Sequence, residues 1–530
     1  MFLVRARFNK HNNQNERMIR MLKKIKKSKS FICFVMLLLF CITISACGDE
    51  NGSFPDSKYE MFYGDMASNG NMGDNEEQYL EIKENKFMET ETHLTQAFSL
   101  KVDTAAYTNV LRYINKGMQP PVNAIRTEEL INYFNYDDVV EIGEEHPFGV
   151  ATHVEKSPFA GGKHMAYIRI KTEDIDSSDL PPSNLTFLID TSGSMMSYDK
   201  LPLLQQAFSL LVETLTENDT VSIVTYGSTS QTLLDSVSGA DKERILGVIN
   251  SLEASGSTAG AKGIQTAYEL AQKNYNSKYN NRVILATDGD FNVGISDTEE
   301  LKKFISEKRN SGVYLSVLGF GTGNLRDDIM ETLAANGNGN YSYIDSITTA
   351  EKVLVKEMGA NMFVVAKDVK AELRFNKDTV KEYRLVGYEN RLMSSEEFDD
   401  EKKDAGEIGS GTDVVVLVEL ILQDATSKDE EANLLDVCIR YKDVENEAQK
   451  ELIVPISNNA NAAGDGNNVN TDFRFACAVA AFCEKLRSSK YIDDLYDVND
   501  IAAFARENIG NDTDGYRKNF VELLDDIRTQ

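Results

Sequence analysis

Cysteine is scarce in this chain of 530 residues, with six in all. Three of them (Cys33, Cys41, Cys47) lie at the N-terminus, which leaves Cys438, Cys477 and Cys483 for the body. So odd and sparse a set argues against a disulfide framework. Cys477 and Cys483 are six apart on a predicted helix, hence on different faces, and read as buried apolar thiols. Histidine is as thin. His11, His93, His146, His153 and His164 never fall at HExxH spacing, which removes the zinc-protease signature. No GxSxG surrounds Ser192 or Ser194, so a hydrolase nucleophile elbow has no support. GxxxxGK[ST] is absent, and Gly319-Phe320-Gly321-Thr322-Gly323 is too short a glycine run to argue for nucleotide binding. After residue 46 no apolar run is long enough to span a bilayer, so the chain is not itself expected to form a channel.

Basic residues are outnumbered, 56 against 84 acidic, for a net charge of −28. Ten of the basic residues and only Glu16 among the acids fall in the first 46 positions; without that segment the balance is −37. Such a chain repels nucleic acid and anionic lipid at long range, and nucleic-acid binding is not expected.

That basic start has the form of an address. From Met21 a run MLKKIKKSKS precedes sixteen apolar or small residues, FICFVMLLLFCITISA, and then Cys47. The order is that of a signal peptide, and the stretch is shorter than the roughly 20 residues of a spanning helix. Ile44-Ser45-Ala46-Cys47 resembles a bacterial lipobox, with Ile44 where Leu is more usual. The resemblance implies lipidation at Cys47 and an extracytoplasmic protein anchored by lipid to the bacterial cell membrane. Residues 47–77, rich in Gly, Asn, Ser, Asp and Glu, read as a flexible tether. Thirty such residues average about 30 Å end to end and extend to about 100 Å.

Between residues 181 and 360 four nearly continuous apolar runs, Leu185–Ile189, Val221–Tyr226, Val283–Thr287 and Val313–Leu318, alternate with amphipathic patterns such as Leu204, Ala207, Phe208, Leu211 and Leu215. Unbroken apolar strands suit a parallel sheet covered on both faces. Strand–helix alternation predicts a doubly wound α/β fold, whose ligands gather at the carboxyl ends of the strands. The polar residues sit there. One strand runs into Asp190-Thr191-Ser192-Gly193-Ser194 and another into Thr287-Asp288-Gly289, while a loop over 254–258 carries Thr258 ahead of a helix.

Together these segments resemble the metal-ion-dependent adhesion site of von Willebrand factor type A domains: DxSxS, a separate Thr and a separate Asp in a TDG context. The resemblance makes Asp190, Ser192, Ser194, Thr258 and Asp288 the expected metal ligands, with the three hydroxyls touching the ion and the carboxylates acting through water or in exchange with Thr258. Hydroxyl and carboxylate oxygens are hard donors, suited to Mg2+, with Mn2+ or Ca2+ able to substitute. In that family a carboxylate of a protein partner often fills the open coordination position. Asp290 and Asp297 read as a solvated loop acid and a cap for a helix over 298–307.

The flanks carry FSLKVDTAAYTNVLRYINKGMQPPVNAIRTEELINYFNYDD over 98–138, GYENRLMSSEEFDDEKKDAGEIGSG over 387–411, and TDFRFACAVAAF and DGYRKNFVEL near the end. They resemble a bacterial family with an N-terminal region, a von Willebrand A domain and a C-terminal extension, some members loosely labelled chloride-channel-like. Lys101 stands where that family usually has an acid. The expected organisation is a signal peptide over 1–46, tether 47–77, N-terminal associated region 78–180, A domain 181–360, β-rich domain 361–457, linker 458–470 and helical region 471–530. Strand-like runs at Val150–Val154 and Ala166–Lys171 are expected to pair with those of 361–457 in one sandwich, into which the A domain is inserted. The function expected is non-enzymatic: a surface lipoprotein that binds an Asp or Glu carboxylate of a protein partner through its metal. A structural or assembly module in which the ion only stabilises the fold is the alternative, and a Mg2+-dependent hydrolase using Asp190 the more distant one, since no general acid, base or phosphate-balancing lysine shows itself in the loops.

Overall fold

The computed structural model describes residues 77–101, 103–176, 179–257, 260–289, 298–401, 403, 405–424, 426, 431–458 and 470–527. All belong to one compact unit. Cys47, Thr258, Asp290, Asp297 and nearly all of the expected linker lie outside the described residues.

Three sheets organise the described chain. The central one runs Tyr341–Ile344, Tyr314–Phe320, Asn280–Thr287, Ser183–Asp190, Thr220–Tyr226, Ser230–Ser238. Its first five strands are parallel, and the sixth is an antiparallel edge. Both faces are covered, which is why the strands read as unbroken apolar runs. Leu185, Phe187 and Ile189 face the helix Leu201–Thr214, where Phe187 stacks on Phe208 at 4.5 Å. Leu188, Val283 and Leu285 face the helix Gly260–Lys273 through Ile264, Ala267 and Ala271.

The other two sheets form a sandwich built from both sides of that domain. His164–Thr172 pairs antiparallel with Asp413–Leu422 along its whole length, with Ile170 opposite Val414 and Ala166 opposite Val418. Thr95–Ser99 likewise adds to Val364–Phe375. The sandwich is therefore one structure and the central domain is inserted in it. Val364–Phe375 is one long strand, interrupted by a bulge at which Asp368 takes a φ of 50°. A bulge hides a strand from a period-2 reading because one residue goes unpaired.

Alternation along Asp413–Leu422 assigns its two faces. Val414, Val416, Val418 and Leu420 enter the sandwich core, while Val415 and Leu417 face a helical layer. That layer holds Ala105–Asn115, Thr471–Leu486, Val498–Glu507 and Tyr516–Ile527, with Phe134, Phe475, Phe482 and Phe520 meeting edge to face. Thr471–Leu486 is buried on nearly every side, so Cys477 and Cys483 are both interior free thiols although they point apart.

Candidate metal centre

Asp190 ends one of the two central strands of the inserted domain's sheet, and parallel pairing sets what lies beside it. Register places Asp190 opposite Tyr226 on one side and Ile189 opposite Ala286 on the other, so Thr287 and Asp288 leave the neighbouring strand at the same sheet edge. At this edge the chain crosses to opposite faces of the sheet, which opens a crevice beyond the carboxyl ends.

The DxSxS turn is tightly organised. One Asp190 oxygen accepts the Ser192 N–H at 2.9 Å and the other accepts the Thr287 hydroxyl at 3.1 Å. The Ser192 and Ser194 hydroxyls lie 2.9 Å apart, so both reach one point. The third loop is fastened to the turn by backbone bonds, Gly193 N–H to Gly256 O at 3.0 Å and Ser255 N–H to Thr191 O at 2.8 Å. Gly256 has a φ of +80°, and a methyl there would overlap the Ser228 hydroxyl, so glycine is required where the loop closes. The described part of this loop, through Ser257, thus lies against the DxSxS turn; Thr258 itself is outside the described residues.

Asp190 and Asp288 are fully buried and Ser192 nearly so, whereas Ser194 is partly open. Burial raises the Asp190 carboxyl to about 6, the nearby Asp288 charge adds to the rise, and the bonds from Ser192 and Thr287 oppose it. Among the described residues Asp190 has hydrogen bonds but no ion pair. No group of three or more His, Cys, Asp or Glu side chains suited to a metal occurs among the described residues. The donors gathered here are two carboxylates and two hydroxyls, a set that fits a hard divalent cation. Ser192, Ser194, Asp190 and Asp288 are the described side chains that would hold it.

Sequence reasoning missed one neighbour. The Lys200 ammonium lies 2.8 Å from an Asp288 oxygen and 3.0 Å from the Asn324 side-chain oxygen, and the residue is nearly buried. It stands six residues past Ser194, directly before the helix Leu201–Thr214. The only available signal was the glycine-rich run: Gly321 has a φ of +72°, and a methyl there would collide with the Lys200 methylenes. On the rim, Met196 and Tyr198 are 70% and 86% exposed, which makes them two of the most exposed large apolar side chains described.

Sheet order, strand-end site and turn geometry define a von Willebrand factor type A domain, a class of module that generally mediates protein–protein interaction, and residues 184–356 match the family described as "von Willebrand factor type A domain". Residues 73–166 match "von Willebrand factor", and residues 360–529 match "Uncharacterized protein YfbK, C-terminal". The chain belongs to the YfbK family of von Willebrand factor type A domain proteins: it is 38% identical over 468 residues to the Escherichia coli K12 protein described as "Uncharacterized protein YfbK", covering 84% of this chain and 80% of that one. A Synechocystis protein described as "Uncharacterized protein sll0103" is 28% identical over 171 residues, 32% of this chain and 39% of its own length. The solved structure described as "von Willebrand factor type A from Catenulispora acidiphila" is 16% identical, covers 74% of this chain and 91% of that chain, and has a TM-score of 0.41.

Proposed function

We propose that this chain is an extracytoplasmic lipoprotein, anchored through Cys47, that binds a protein partner by an Asp or Glu carboxylate at a divalent cation held by Asp190, Ser192, Ser194, Thr258 and Asp288. The observation that carries the reading is the convergence of Asp190, the paired Ser192 and Ser194 hydroxyls and Asp288 at one sheet edge, with the buried Asp190 carboxylate in no ion pair among the described residues. Burying a carboxylate costs free energy unless a cation or strong donors compensate it, and Mg2+ is the expected cation, with Mn2+ or Ca2+ as substitutes. When bound, the ion supplies a Lewis-acidic position that an anionic oxygen can fill. The chain's own residues orient it: Gly193 brings both serine hydroxyls to one side, and Thr287 fixes the Asp190 oxygen.

Exposed Met196 and Tyr198 beside this position suit a partner whose carboxylate is flanked by apolar surface, because a rigid aromatic next to a polar anchor is a common source of binding energy. The test is a crosslinking pull-down from envelope material with wild type and Asp190→Ala, each in Mg2+ or in EDTA. A partner recovered only by the metal-loaded wild type supports the reading; equal recovery in all four arms sinks it. A structural role for the ion is favoured instead if Ser194→Ala keeps the partner while its melting temperature in Mg2+ falls.

A further inference from the structure

The Lys200 ammonium is poised where a cation bound to Asp288 would have to compete with it. Its side chain passes over Gly321, where only a missing Cβ leaves it room, and its head donates to both Asp288 at 2.8 Å and Asn324 at 3.0 Å. The contact is 8% exposed on the lysine side and fully buried on the aspartate side, so water screens it little. It is therefore a built feature, held by a glycine and an asparagine of one loop and an aspartate of another.

Charge at the edge then follows. Among the described residues, Asp190 and Asp288 with the Lys200 ammonium make a cluster one charge negative. A divalent cation turns it one charge positive, and a carboxylate arriving from outside restores neutrality. A neutral residue at position 200 would leave the cation-loaded cluster neutral before any ligand came.

We propose that Lys200 is a specificity-setting residue of this site, which lowers its affinity for the cation alone and couples cation binding to capture of an anionic ligand. The inference rests on the metal reading above. By Coulomb's law a unit charge a few ångströms from the ion, partly shielded from water, acts on both equilibria. Cation and carboxylate thus bind with positive coupling, and each raises the affinity of the other by the same factor.

Mn2+ titrations of the full folded chain, followed by the electron paramagnetic resonance of the free ion, test it, with acetate as the carboxylate probe at constant ionic strength. Lys200→Met is expected to bind Mn2+ about tenfold tighter than wild type, and acetate is expected to strengthen Mn2+ binding by wild type more than by Lys200→Met. In EDTA the melting temperature of Lys200→Met falls, because Asp288 loses a counter-charge, and Mn2+ raises it by more than it raises wild type. Lys200→Arg, which keeps the charge, stays near wild type. Asn324→Ala, which frees the ammonium from its second partner, shifts Mn2+ affinity the same way as Lys200→Met by a smaller factor and serves if Lys200→Met does not fold. Mn2+ affinity of Lys200→Met equal to or below wild type overturns the proposal, as does equal tightening by Met and Arg. If wild type and Asp190→Ala both fail to bind Mn2+, the metal reading itself falls and this inference with it.

Discussion

Arg126 donates to Asp327 at 2.6 Å, across 201 residues of sequence, with both side chains buried. The pair joins the N-terminal region to the helix Asp327–Asn336 of the inserted domain. It belongs to a larger group: Arg126 also holds Glu129 at 2.6 Å, and Arg391, from the chain beyond the inserted domain, reaches Asp103 at 2.8 Å and Glu331 at 3.5 Å. Removing Asp327 takes away one carboxylate partner of the buried Arg126 guanidinium and leaves Glu129 in place. Asp327→Ala is therefore expected to cost about 3 kcal/mol, the lower end for a broken buried pair, read from urea unfolding. A loss below about 1 kcal/mol would mean that the network does not fasten these parts together.

Glu128 gives the protein a pH dependence. One of its carboxylate oxygens is buried without a hydrogen-bond partner, and burial, then the Glu389 and Glu129 charges, raise its carboxyl from 4.5 to about 7. A carboxyl raised in the folded state contributes no penalty below its unfolded value. Stability falls as pH climbs from about 4.5 to 7, by up to about 3 kcal/mol, and stays lower above that. Glu128→Gln is therefore expected to be more stable than wild type at pH 8 and no more stable at pH 4. Unfolding midpoints at the two pH values decide it; identical differences at both would be contrary.

The three thiols of the body are interior. Burial pushes Cys438 up to about 12 and Cys477 and Cys483 also upward. Because the thiolate is the reactive form, a thiol reagent should label none of the three in the native protein and all three in denaturant, as located by mass spectrometry. Rapid native labelling of Cys477 would show that the helix Thr471–Leu486 opens.

Ser194→Ala separates ligand chemistry from packing. Ser194 is partly exposed, and its described hydrogen bond is with Ser192 at 2.9 Å. Stability in EDTA should therefore change by no more than about 1 kcal/mol, whereas the rise in melting temperature on adding Mg2+ should shrink markedly. An unchanged rise removes Ser194 from the ligand set.

Charge bears on how a partner arrives. With a net charge of −28 over the whole sequence, an acidic partner would be repelled at range and, on the reading proposed above, attracted only at a bound cation, and the Debye length shrinks to about 8 Å at physiological salt. Association with a net-negative partner should accelerate as salt rises from low values. Stopped-flow rates that instead fall steeply with salt would identify a basic partner surface.

The four strands read as parallel were legible because cover on both faces leaves no polar alternation in Ser183–Asp190 or Asn280–Thr287. The edge strand Ser230–Ser238 was not, since only Leu234 and Val237 among its residues are buried and the rest reads as loop. Tyr341–Ile344 is too short to show a period. Neighbours in the sandwich could be guessed in kind but not in order, because pairs such as Phe98 with Ala371 join distant segments. Asp190, Ser192, Ser194 and Asp288 were legible as a pattern of donors at strand ends. Lys200 was not, because its place depends on the space over Gly321 and on Asn324, neither of which spacing reveals.

Insertion of one domain into a sandwich also orders events at the ribosome. One edge of His164–Thr172 finds its partner strand only when Asp413–Leu422 has been synthesised. At roughly 5–20 residues per second, that leaves the edge unpaired for on the order of 12–50 s. The inserted domain has every strand of its sheet by Ile344 and can close first. A nascent chain in this interval presents a finished globule flanked by a sticky half-sandwich, which is the form that a holding chaperone would be expected to meet.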